Sequence, residues 1–100
     1  MTTLTGVGGW FCAAHSDPVR TEIHGHTYEV VAWFEASPSR DAVVLQEALN
    51  HVLRGFDHRP LPPELTRAEA FAETIMFRLE GCVEVQINRP LERIYAIVRR

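Results

Sequence analysis

The segment from His24 to Ala36 constrains the fold most, because large apolar side chains fall on both faces of the strand it predicts. Alternate residues of a strand point to the same side of a sheet. A strand that is apolar on both sides needs cover on both sides. One face carries His24, His26, Tyr28, Val30, Ala32 and Phe34, and the other carries Thr27, Glu29, Val31, Trp33 and Glu35.

The rest of the chain divides into five further predicted elements. Helix 41–56 has apolar residues at helical spacing and begins at Asp41, a carboxylate favoured by the helix dipole. A second helix is predicted to begin at Thr66, because Thr66 and Glu69 match a capping box, and to end near Gly81. The remaining predicted elements are the strands Leu4–His15, Val83–Ile87 and Leu91–Val98, the last two joined by a turn containing Pro90.

This order of elements, ββααββ, predicts an α+β fold in one domain spanning residues 1–100. Short connections between neighbouring strands predict a four-stranded antiparallel sheet, with both helices packed on one face. We expect a partner subunit to cover the opposite face, since the strand from His24 is apolar on that side as well.

Composition excludes several classes of function. The net charge is −3 and basic residues are interspersed, which argues against nucleic acid as a partner. No apolar run is long enough for a membrane span, and no export signal is visible. The only cysteines, Cys12 and Cys82, have no paired spacing. We therefore expect reduced thiols in a cytoplasmic protein.

The histidines at the start of the second strand predict a metal site. His24 and His26 point the same way with Cβ atoms about 7 Å apart, so both imidazoles can reach one ion. A hairpin through residues 16–23 would bring His15 beside them. Three imidazoles with an open fourth position are typical of catalytic zinc. The spacing also occurs by chance in strands that bind nothing, so this alternative stays open.

Three motifs in order, Phe11–His15 (FCAAH), His24–Val30 (HGHTYEV) and Asp57–His58, resemble the 6-pyruvoyl-tetrahydropterin synthase and 6-carboxytetrahydropterin synthase (queuosine pathway) family. The resemblance covers nearly the whole chain. It implies the tunnelling fold (T-fold), in which oligomerisation forms a barrel, commonly a hexamer of two stacked trimers. It also implies Zn²⁺ on His15, His24 and His26.

The resemblance further implies a reaction on a reduced pterin, dihydroneopterin triphosphate, whose side chain the zinc polarises. Asp57 and His58 match the family's proton-relay pair, which a neighbouring subunit supplies; the alternative is that they begin a turn. Glu69 matches an acidic residue at the family's substrate site, and its alternative role is in the capping box.

The chain departs from the family pattern at two places. Arg20 stands where the family has a catalytic cysteine, and a guanidinium is suited to a phosphate but not to base catalysis. Glu22 is the candidate replacement base, with a solvated charge as the alternative, whereas strand parity directs Cys12 away from His15. Ile87 stands where the family has a pterin-anchoring glutamate, and the amide of Asn88 is the candidate substitute.

Three functions remain open from the sequence. The working prediction is a zinc-dependent lyase or synthase acting on a reduced pterin or an analogue. The alternative is a non-catalytic zinc-containing paralogue that binds a pterin or a purine-like ligand. In a third reading, the metal only stabilises a small barrel subunit, which an open coordination position disfavours.

Overall fold

A computed structural model of the protein describes residues 2–15 and 24–100, with the backbone alone for His15. The predicted α+β architecture is confirmed. Within the described residues, the elements are β1 (Leu4–His15), β2 (His24–Glu35), α1 (Ala42–Arg54), β3 (Arg59–Pro60), a 3₁₀ turn (Pro63–Leu65), α2 (Ala68–Arg78), β4 (Cys82–Arg89) and β5 (Ile94–Arg99).

The sheet of the described chain has five strands in the order β3-β1-β2-β4-β5. The four predicted strands are all present, and they pair antiparallel. The predicted count of four was one too low, because β3 runs parallel to β1 beside Ala13 and Ala14. A two-residue strand is too short to produce any alternation of apolar and polar residues, so the sequence gives no signal for it.

Helix α1 begins where the sequence predicts. Asp41 is its N-cap, and the carboxylate accepts a hydrogen bond of 2.8 Å from the Val43 N–H. The helix packs closely on β1 at Gly9, where an added Cβ would lie 2.8 Å from Leu53 Cδ1. Glycine at this position therefore allows the helix to approach the sheet.

The predicted start of α2 is wrong. Its N-cap is Arg67, which makes no side-chain cap, and the Thr66 hydroxyl instead donates to the Pro63 carbonyl at 3.0 Å. Glu69 lies in the first turn and contacts Arg67 at 3.6 Å. Because the Thr66 hydroxyl is hydrogen-bonded within the 3₁₀ turn, it does not cap the helix and no capping box forms.

The core lies between the helices and one face of the sheet. On that face Val30 and Phe34 are fully buried, under side chains of both helices such as Leu49 and Ile75. The opposite face keeps large apolar side chains exposed, among them Trp10, Tyr95 and Ile97. No helix in residues 2–15 and 24–100 is both long and apolar enough to cross a membrane.

Candidate functional site

The end of β1 and the start of β2 lie beside β3 and the β4–β5 turn. In the β1–β2 ladder His15 pairs with His24, and Ala13 pairs with His26. The close pairing of His15 and His24 agrees with the hairpin expected from the sequence. A cavity of about 450 Å³ opens here, lined by Cys12, Ala13, Ala14, Gly25, His26, Thr27, His58, Arg59, Pro60, Leu91 and Glu92.

His24 and His26 converge at this end of the sheet. Their ring centroids are 4.7 Å apart and the rings meet edge to face. The His26 side chain is only 7% exposed, and its Nδ1 contacts the Glu92 carboxylate. Burial, together with the nearby Arg89 charge, lowers the pKa of His26 despite the opposing effect of Glu92. The neutral imidazole, which is the form that binds metal, is therefore favoured.

Glu92 is shared between His26 and Arg89. The Arg89 Nε lies 3.4 Å from the carboxylate oxygen that faces His26. Burial alone would raise the pKa of Glu92, but the His26 and Arg89 side chains together bring it below its usual value. The carboxylate is therefore ionised at neutral pH, and it accepts a hydrogen bond from the His26 ring.

Asp57 and His58 form a second polar pair, of which His58 lines the same cavity. The Asp57 Oδ1 accepts a hydrogen bond of 2.9 Å from the Cys12 N–H and lies 3.0 Å from the His58 Nδ1. The Cys12 hydrogen bond is the main reason that the pKa of Asp57 is lowered. His58 is 81% exposed, with its backbone in the left-handed region at φ 56°. The pair thus presents an oriented imidazole to solvent at the cavity.

The two candidate ligands whose side chains the structure describes, His24 and His26, are of a kind that binds zinc. Two adjacent imidazoles suit this ion, and the Nδ1 of one of them already meets a carboxylate, as is common for zinc-bound histidines. No group of three possible ligands occurs among side chains that the structure describes. The third predicted ligand is His15, whose side chain lies outside that set.

The structure brings together some of the predicted site residues and separates others. His26 and His58 line one cavity within a single chain, although the family resemblance implied that a neighbouring subunit supplies the relay pair. Glu69 is exposed at the start of α2 and is not among the cavity residues. Arg20 and Glu22 lie outside the described residues.

Asn88 lies on the face of the sheet that the helices leave open. Its amide donates to a Glu29 carboxylate oxygen at 3.0 Å and accepts from Gln86 at 3.2 Å. The neighbouring Ile87 is 1% exposed in the core. Asn88 is thus hydrogen-bonded on the open face and does not line the cavity.

Two cavity residues were not predicted from the sequence: Glu92 has no motif, and Cys12 was expected to point away from the site. Glu92 follows β4, and the pairing of Asn88 with Glu29 directs the next turn toward the start of β2. That inference needs the strand order, which no local pattern supplies. Cys12 does point away from the histidine face, since it pairs with Thr27. Both residues nevertheless line the cavity, so strand parity does not remove Cys12 from the site.

Solved structures reveal what this arrangement resembles. The 6-pyruvoyl tetrahydropterin synthase of Caenorhabditis elegans superposes with a TM-score of 0.80 and 16% identity, covering 100% of this chain and 96% of the other. The Plasmodium falciparum 6-pyruvoyl tetrahydropterin synthase gives a TM-score of 0.72 and 16% identity over 99% and 98%. The chain has the fold of these synthases.

The sequence itself matches no protein-family model and no curated protein significantly. The fold that the motif resemblance implied is nevertheless confirmed by these two structures, at low identity over nearly the full length of each chain.

Proposed function

We propose that the protein is a zinc-dependent carbon–oxygen lyase or synthase acting on a reduced pterin, either dihydroneopterin triphosphate or an analogue. The observation that carries the proposal is the single cavity lined by both His26 and His58 in a chain with the synthase fold. A candidate metal ligand and a candidate proton carrier thus line the same cavity of about 450 Å³.

Three histidines, His15, His24 and His26, would hold the zinc. When bound, the ion would polarise an oxygen of the substrate side chain and so acidify the adjacent C–H. His58 would carry the proton, because Asp57 faces its Nδ1 and leaves Nε2 to exchange with the substrate. Glu22 is the proposed second base and Arg20 the proposed phosphate contact; both roles come from the sequence.

Recognition of the pterin ring must differ from the family pattern. Ile87 lies in the core, so its position cannot supply an acceptor pair to a ligand. Asn88 would have to exchange its Glu29 contact for the ligand. Glu69 would need an assembly that brings it to a cavity. A pterin ring bound here would therefore be recognised through contacts other than the family's carboxylate.

The second candidate function is a zinc-containing pterin- or purine-like ligand binder that does not catalyse. It is favoured by Arg20 at the position of the family cysteine and by Ile87 at that of the glutamate. The Asp57–His58 pair opposes it, because a binder has no need of an oriented proton carrier beside the candidate metal ligands.

We further propose a cytoplasmic homo-oligomer, a hexamer built as a dimer of trimers. Its support is the exposed apolar side of the sheet, where Trp10 is 60% and Tyr95 62% exposed. Native mass spectrometry tests the assembly directly, and a monomer as the main species at micromolar concentration would contradict it.

The deciding experiment measures zinc content and then turnover of dihydroneopterin triphosphate by the purified protein, following 6-pyruvoyl and 6-carboxy products. We expect stoichiometric zinc and product formation that His58→Ala abolishes. His51→Ala is the matched control, because His51 is exposed on α1 away from the cavity. Tight pterin binding without product from the wild type would establish the second candidate instead.

A further inference from the structure

We infer that Glu92 is a positioning residue for the candidate metal site, holding His26 in the tautomer and orientation that direct its Nε2 toward zinc. The inference rests on the proposed zinc site and adds a residue that the sequence motifs do not include. Glu92 belongs to the β4–β5 turn, far along the chain from the histidines.

The contact itself determines the tautomer. The Glu92 carboxylate meets Nδ1 of His26, and an ionised carboxylate only accepts hydrogen bonds. In a neutral imidazole the proton must then sit on Nδ1, so the lone pair that binds a metal is on Nε2. Carboxylates placed in this way orient zinc-bound histidines and increase their basicity.

The turn is built to hold Glu92 in place. Backbone hydrogen bonds run from the Glu92 N–H to the Arg89 carbonyl at 3.2 Å and from the Arg93 N–H to the Pro90 carbonyl at 3.3 Å. The side chain is fixed from a second direction by the Arg89 Nε at 3.4 Å. Arg89 is itself only 18% exposed. Its guanidinium therefore meets the carboxylate in a confined setting, where an ion pair is less screened.

A matched carboxylate on the same hairpin provides the control. Glu84 on β4 pairs with Arg99 on β5, and its side chain is 18% exposed against 29% for Glu92. Glu84 lies on the open face of the sheet, whereas His26 lies on the face that the helices cover. Glu84→Gln therefore removes a comparable carboxylate–arginine pair from the hairpin without touching His26.

The first measurement is zinc affinity by competition with a chromogenic chelator. We expect Glu92→Gln and Glu92→Ala to bind zinc about 10–100-fold more weakly than the wild type, whereas Glu84→Gln binds as the wild type does. Equal affinity in all four proteins would overturn the inference while leaving the zinc proposal intact. A wild type that binds no zinc would overturn both.

The second measurement requires no metal. Two-bond ¹H–¹⁵N spectra of the metal-free protein report which ring nitrogen of His26 carries the proton. We expect the Nδ1–H tautomer in the wild type and in Glu84→Gln, and a shift of population toward Nε2–H in Glu92→Ala. An unchanged tautomer in folded Glu92→Ala would contradict the positioning role. If the alanine variant misfolds, Glu92→Leu takes its place, because leucine keeps the bulk of the side chain without offering an acceptor to Nδ1–H.

Discussion

The two ends of β2 differ sharply although they share one face of one strand. Toward the C-terminus of β2, which we call the core end, Val30, Ala32 and Phe34 are buried beneath the helices. Toward the N-terminus of β2, which we call the histidine end, the neighbours of His24 and His26 are the β4–β5 turn and β3 instead of the helices. Position along the strand therefore decides whether an inward-facing side chain serves the core or the cavity.

The largest effect is expected at the core end. Phe34→Ala should lower the free energy of unfolding by about 3–5 kcal/mol, because it removes a fully buried ring from a packed interior. Urea unfolding measures the change, and zinc affinity of the folded variant should stay at the wild-type value. Phe77→Ala is the matched control, since Phe77 is 67% exposed. A loss of zinc in folded Phe34→Ala would show that the two ends are not independent.

The opposite pattern is expected at the histidine end. His24→Ala should remove stoichiometric zinc while changing the stability of the metal-free protein by only about 1 kcal/mol, the typical cost of a point substitution. Elemental analysis and urea unfolding measure the two quantities, with His51→Ala as the histidine control. Zinc content unchanged by His24→Ala would remove the metal assignment.

The two cysteines should report the same contrast through their reactivity. Cys82 pairs with Phe34 and is fully buried, whereas Cys12 pairs with Thr27 and is exposed. Burial raises the pKa of the Cys82 thiol, which further reduces its thiolate fraction. We expect iodoacetamide to label Cys12 in the native protein and Cys82 only after unfolding, as mass spectrometry of the peptides would reveal. Rapid native labelling of Cys82 would contradict a closed core end.

The smallest effect is expected for Asp57, which is partly exposed. Its folded pKa is lowered, so its contribution to stability is present above the unfolded value of about 3.9 and is lost as the pH falls through the folded pKa. Asp57→Asn should therefore be less stable than the wild type at pH 7, with a gap that narrows at pH 3. Urea unfolding at both pH values tests this, with the exposed Glu47→Gln as control. A stability difference between Asp57→Asn and the wild type that widens on acidification would contradict the lowered pKa of Asp57.

Much of the fold was accessible from the sequence because its signals are local. The alternation in β2 and the spacing of Leu45, Leu49 and Val52 in α1 both depend on neighbours along the chain. The β3 strand escaped prediction because its pairing with β1 forms only when the chain folds. The start of α2 was mispredicted because a competing local turn takes the Thr66 hydroxyl.

The candidate site was accessible only in part. His24 and His26 stand two residues apart, and strand geometry alone places them together. Glu92 reaches His26 from another hairpin, and the Cys12 N–H binds Asp57 across the loop after α1. Such contacts depend on strand order and register, which a single sequence does not encode in any short motif.

The short β3 strand has a consequence for how molecules of this protein meet. One of its two residues is Pro60, which has no N–H to offer to an incoming strand. A prolyl edge is a poor template for cross-β stacking. The β3 edge, beside the cavity, is therefore protected against pairing with a strand of another molecule. Such pairing is expected at the other edge strand, β5.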